Sequence, residues 1–111
     1  MNLLKISRIF ALNLVASCFI ASLNAVTISL EPYNGNVIVS PGGTAQVQAG
    51  VNTSGSTILY CGWTGPRGFK LDNTMRLVVN NVYPGINDGV YTFTVKTSSG
   101  TFSANASVIV H

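Results

Sequence analysis

Apolar and polar residues alternate with a period of two along most of this chain, and the alternation breaks at residues that favour turns. Val26, Ile28 and Leu30 alternate with Thr27, Ser29 and Glu31, as in a strand with one buried face. Pro32 and Asn34-Gly35-Asn36 interrupt pairing, and Val37-Ile38-Val39 resumes it as a short edge segment. After the turn Pro41-Gly42-Gly43, Ala45, Val47, Ala49 and Val51 face one way while Gln46 and Gln48 face the other. Asn52 to Ser56 is a polar loop. Thr57 to Thr64 predicts the next strand, anchored by Trp63, with Cys61 and Leu59 on the same inner face and Tyr60 and Gly62 facing out. Gly65-Pro66-Arg67-Gly68 makes a turn, and Phe69 to Thr74 has no clear period: a further short strand or irregular chain.

The clearest pattern follows. Leu77 and Val79 alternate and Val82 closes their strand, the corner holds Pro84, Gly85, Asn87, Asp88 and Gly89, and Tyr91, Phe93 and Val95 alternate again. Ser98-Ser99-Gly100 predicts a hairpin into a last strand, where Phe102, Ala104, Ala106, Val108 and Val110 alternate with Ser103, Asn105, Ser107 and Ile109. Roughly seven to eight short strands, with no internal repeat and no linker, predict an all-β chain folded as one two-sheet β-sandwich.

Met75 to Val95, MRLVVNNVYPGINDGVYTFTV, resembles the immunoglobulin superfamily, most closely its I-set. In that set the E strand reads Leu-x-Ile-x-x-Val and the F strand opens Asp-x-Gly-x-Tyr-x-Cys. Leu77, Val79, Val82, Gly89 and Tyr91 fit, and Asn87 or Asp88 takes the acidic place. The corner is one residue longer than the family pattern, and Phe93 stands where the cysteine belongs. The resemblance implies an immunoglobulin-like sandwich of antiparallel strands that lacks the B to F disulfide. Ala49 then takes the first cysteine's place, so a small residue faces a large one and repacks the space of the bridge. Trp63 becomes the core tryptophan, and the Tyr91 hydroxyl bonds backbone across the E to F corner. The split first strand is similar to the family's A and A′ pieces. The structural core implied is Trp63, Tyr91, Phe93, Ala49, Leu77 and Cys61.

Residues ahead of this domain read differently. Lys5 and Arg8 precede an apolar run from Ile9 to Ile20, broken only by Asn13 and Ser17, and Ala21-Ser22-Leu23-Asn24-Ala25 follows. That is the order of a secretory signal peptide and is short for a membrane span, so residues 1–25 are expected to be cleaved and residues 26–111 to form the domain. Two competing readings of the same segment are a retained membrane anchor and a bacterial lipobox, Val15-Ala16-Ser17-Cys18, that would lipidate Cys18. Phe19-Ile20, apolar where a lipoprotein tether is polar, argues against the second.

Removing the leader changes the charge. The whole chain carries +3, but residues 26–111 carry only +1, from Arg67, Lys70, Arg76 and Lys96 against Glu31, Asp72 and Asp88. No basic patch is left to predict binding to nucleic acid or a membrane. Cys61 alone remains of the two cysteines, so the domain has no internal bridge, a feature worth ~2–4 kcal/mol in many secreted domains. Its stability is expected from packing.

Little here predicts catalysis. His111 sits at a terminus with no fixed geometry toward Cys61, and Glu31, Asp72 and Asp88 are spread over separate segments, so neither a nucleophile, a carboxylate pair nor a metal site is expected, and no cofactor. Asp88 reads as a turn residue bonding local backbone. Two sequons, Asn52-Thr53-Ser54 and Asn105-Ala106-Ser107, are candidate N-glycosylation sites if the host is eukaryotic.

Two surfaces are candidates for binding. The outward face of strands C, F and G would show Tyr60, Gly62, Val90, Thr92, Thr94, Lys96, Asn105 and Ile109, and a sheet face with so little charge suits a protein or glycan partner or a second copy. The tip Gly65 to Lys70 offers Arg67, Lys70 and Phe69 to an acidic or aromatic partner. The expectation is a secreted single-domain recognition or adhesion protein. Its rival is a structural surface subunit: a bacterial lipoprotein, or a fimbrial or phage decoration domain.

Overall fold

The computed structural model describes residues 25–111. The leader expected over residues 1–25, and Cys18 within it, lie outside the described residues except for Ala25. Among the described residues no helix is long and apolar enough to cross a membrane.

Eight strands follow one another: β1 (Thr27–Glu31), β2 (Asn36–Val39), β3 (Ala45–Asn52), β4 (Ile58–Thr64), β5 (Lys70–Asp72), β6 (Arg76–Val79), β7 (Gly89–Thr97) and β8 (Gly100–Val110). They form a three-stranded sheet, β1-β3-β6, and a five-stranded sheet, β2-β8-β7-β4-β5. All neighbours are antiparallel except β2 and β8, which run parallel. The segment from Phe69 to Thr74 contains β5, which adds to the edge of β4 through Gly62↔Asp72, Trp63↔Leu71 and Thr64↔Lys70.

The split of the first strand has a local cause. Pro32 has no N–H to give a ladder, and a 3-10 turn at Tyr33–Gly35 carries the chain from one sheet to the other. Gly35 closes that turn at φ +88°, its N–H bonded to the Pro32 carbonyl at 2.7 Å. A Cβ there would lie 3.0 Å from Leu30 Cδ1 and 3.2 Å from Ala106 Cβ, so only glycine fits both the backbone and the space.

Inward positions of both sheets meet in one core. Ala45, Val47, Ala49, Leu77 and Val79 line the smaller sheet, and Trp63, Tyr91, Phe93, Val95, Ala106, Val108 and Val110 the larger. Trp63 and Phe93 are ladder partners whose ring centroids lie 5.2 Å apart at 52°. Full burial of side chains of this size contributes about 1.5–3 kcal/mol each, and no disulfide joins the described residues. Packing therefore holds the sheets together, with Ala49 and Phe93 both in the core where the resemblance places cysteines.

Three expected positions differ. Leu59 is 63% exposed rather than inward, because the β4–β7 register shifts between Ile58 and Tyr60 and the bulge turns the residue between them outward. Cys61 packs against the core but is only half-buried, one residue past the register shift between Ile58 and Tyr60. Val82 is fully buried, yet β6 ends three residues earlier at Val79. The chain instead reaches Val82 through Asn81 at φ +55°, and Val82 exchanges backbone hydrogen bonds with Gly42 and Gly43, at 2.7 and 3.1 Å.

Candidate functional site

The strongest local construction is the corner before β7. The Tyr91 hydroxyl donates to the Asn87 carbonyl at 2.6 Å. Asn87 Oδ1 accepts from the Tyr83 amide and Asp88 Oδ1 from the Gly85 amide, both at 2.8 Å. The two candidates for the acidic place thus both cap backbone in the same loop. Burial of the Tyr91 ring raises its phenol above the usual tyrosine value, and the Asp88 carboxylate adds to the shift. Phe69, expected at an exposed tip, is half-buried and meets the Tyr91 ring edge-on at 5.2 Å. The corner and the β4–β5 turn are thereby one packed unit, and the tip presents Arg67 and Lys70 without a free aromatic ring.

The outer face of the larger sheet is the candidate recognition surface. Thr92 donates to Asn105 Oδ1 at 2.9 Å across the β7–β8 ladder. Lys96 is exposed opposite Tyr60. The Tyr60 hydroxyl donates to Asp72 Oδ1 at 2.7 Å, and Lys70 Nζ approaches Asp72 Oδ2 at 3.8 Å. That hydrogen bond, then desolvation and the Asp72 charge, raise the Tyr60 phenol above its usual value. Gly62 faces out as expected but is buried, because the Tyr60 ring covers it.

Towards the end of β8 the same face turns apolar. Ile38, 68% exposed, is the ladder partner of Ile109, and Val90 pairs with Ser107, two residues before Ile109. Ile38 was missing from the sequence-based face because three apolar residues in a row, Val37-Ile38-Val39, do not tell which points out. Tyr83 and Ile86 are likewise exposed on the corner loop.

Both sequon asparagines are exposed. Asn52 Oδ1 accepts from the Ser54 amide in a local turn, leaving its Nδ2 pointing to no described partner. Among the described residues no three His, Cys, Asp or Glu side chains come together. Cys61, in β4, and His111, beyond the end of β8, are separated by β7 and are not brought together.

No family model matches the sequence, and no curated protein matches it. Solved structures do. The N-terminal four Ig domains of Dscam1 isoform 1.9 match with a TM-score of 0.65 at 15% identity, covering 78% of this chain and 21% of that one. The three N-terminal domains of the bacteriophage RB49 Highly Immunogenic Outer Capsid protein match with 0.62 at 18% identity, covering 77% and 30%. An Ig domain of the Titin M10–Obscurin like 1 complex matches with 0.54 at 21% identity, covering 68% and 85%. The chain thus spans about a fifth of the matched Dscam1 chain. At these identities the likeness is one of fold, and the fold is that of an immunoglobulin-like β-sandwich.

Proposed function

We propose that this chain is a secreted immunoglobulin-like recognition protein that holds a protein or glycan partner on the outer face of its larger sheet. The observation that carries the reading is the make-up of that face. Its polar side chains pair with one another, as in Thr92–Asn105 and Tyr60–Asp72, and Val90, Ile38 and Ile109 stand exposed beside them. A surface of paired polar groups and a few apolar ones loses little on desolvation, which suits binding. The charged, apolar and small-residue order of residues 1–25 supports secretion. Division of the first strand between the two sheets supports an I-set subtype.

A second reading, a structural surface subunit, is favoured by the likeness to domains of a phage outer capsid protein. One comparison tests both. Immobilised wild-type protein, a Thr94→Arg/Ile109→Arg variant and a Gln46→Arg control on the opposite sheet are exposed to extracellular fluid, and retained molecules are quantified by mass spectrometry. The recognition reading expects a partner kept by wild type and control and lost by the double variant. Equal retention by all three sinks it. Ordered self-assembly, blocked by the double variant, would establish the structural subunit instead.

A further inference from the structure

Tyr60 is held in a way that a merely exposed tyrosine would not need. Its hydroxyl reaches past Gly62, the next residue on the same face of β4, to the carboxylate of Asp72, which is the ladder partner of Gly62 on β5. The ring therefore lies along the sheet instead of standing off it. Gly62 makes this possible: a Cβ there would meet the Tyr60 hydroxyl and would lie 3.0 Å from the ring carbon Cζ and 2.9 Å from the Leu71 carbonyl oxygen. One end of the ring rests on the strand and the side chain stays only half-buried, so it offers an aromatic surface to solvent.

Its surroundings are polar. Lys96 is the ladder partner of Tyr60, Thr94 that of Gly62, and Thr92 with its bonded Asn105 continues the face. The apolar residues Val90, Ile38 and Ile109 lie at the other end of β7 and β8. Of the charged groups on this face, Lys70 lies 3.8 Å from Asp72, and Lys96, exposed opposite Tyr60, has no ion-pair partner among the described residues.

From this we propose that Tyr60, laid over Gly62 and pinned by Asp72, is a stacking platform for a sugar ring of an acidic saccharide. The inference rests on the reading that the outer sheet face is a recognition surface, and it names the ligand class. The negative face of an aromatic ring attracts the weakly positive C–H groups that line one face of a pyranose. Thr94, the ladder partner of Gly62 on β7, stands next to the ring for the pyranose hydroxyls, and Thr92 with its bonded Asn105 continues the face beyond it. Lys96, opposite Tyr60, meets the carboxylate, and the interaction weakens with salt. An apolar peptide anchor is less well matched, because one ring among hydroxyl, amide and ammonium groups makes no apolar pocket.

The test is a nuclear magnetic resonance titration of the unglycosylated protein, as purified from a bacterial host. Hyaluronan hexasaccharide and sialyllactose serve as acidic probes, maltohexaose as the neutral one and a hexaglutamate peptide as the non-sugar anion. The expected result is that at least one acidic probe shifts the amides of Tyr60, Gly62, Thr94 and Lys96. Tyr60→Leu and Gly62→Ala should each weaken that binding at least tenfold, and Lys96→Gln should weaken it and flatten its salt dependence. Tyr60→Leu serves as the check if Gly62→Ala fails to fold, since it keeps the bulk and loses the ring. Binding that survives Tyr60→Leu, equal shifts with maltohexaose or hexaglutamate, or no shift with either acidic probe overturns the proposal. In that last case a partner captured through the same face would leave the recognition reading standing, and the two failures remain distinct.

Discussion

The Tyr91 hydroxyl donates to the main-chain carbonyl of Asn87 at 2.6 Å, so the first inward side chain of β7 ties down the loop that delivers it. The chain is pulled tight just before it enters the sheet. The backbone of Gly65 closes over the same ring: a Cβ there would lie 2.6 Å from Tyr91 Cε2. Tyr91→Phe keeps the ring and removes one hydrogen bond, leaving a carbonyl without its donor. A loss of about 1–2 kcal/mol is expected in urea unfolding, with an unchanged denaturant slope. A neutral result would mean that water replaces the bond at no cost.

The same hydroxyl sets an alkaline limit. Its pKa is raised in the folded state, by burial first and Asp88 second. Unfolded tyrosines titrate near about pH 10, so the contribution of this phenol is fully present below that value and is lost as pH rises through the folded-state pKa. Melting temperature is expected to fall above about pH 10, and to fall less steeply in Tyr91→Phe. Parallel profiles for the two proteins would rule out this linkage.

Trp63 and Leu59 lie on the same strand with opposite fates. Trp63 is fully buried against Phe93, and Leu59 is turned outward by the bulge. Trp63→Ala should cost about 3–5 kcal/mol, a large share of the total stability of a small domain with no bridge. Leu59→Ala should stay within about 0.5 kcal/mol. Comparable losses from both would contradict the bulge, and chemical denaturation followed by circular dichroism decides it.

Ala49 and Phe93 share the core from opposite sheets, on β3 and β7. If the two positions correspond to the bridge of similar domains, Ala49→Cys/Phe93→Cys forms an internal disulfide and the protein stays folded. Mass spectrometry after alkylation of the native protein reads this directly. Two alkylated thiols in a folded protein would show that β3 and β7 are registered differently.

Strand order along the chain was legible because each strand has one buried face. Alternation in Ala45 to Val51, Tyr91 to Val95 and Phe102 to Val110 is a direct record of which side chains meet the opposite sheet. The Tyr91 corner was legible for a related reason: glycines, an aspartate and a tyrosine at short spacing act on backbone only a few residues away. The outer face of the larger sheet was read in part. Tyr60, Thr92 and Lys96 were on it by period alone, but Ile38 and the partnership of Tyr60 with Asp72 were not.

By itself, then, the sequence determined the two-sheet sandwich, its turns and most of its core, since these follow from local periodicity and short-range backbone chemistry. Tertiary structure decided the rest. A one-residue bulge reversed Leu59, Tyr60 covered Gly62, and Phe69 was drawn onto Tyr91. Period two reports a side chain's facing only while the ladder is unbroken. It carries no information on which distant residue arrives to cover that side chain.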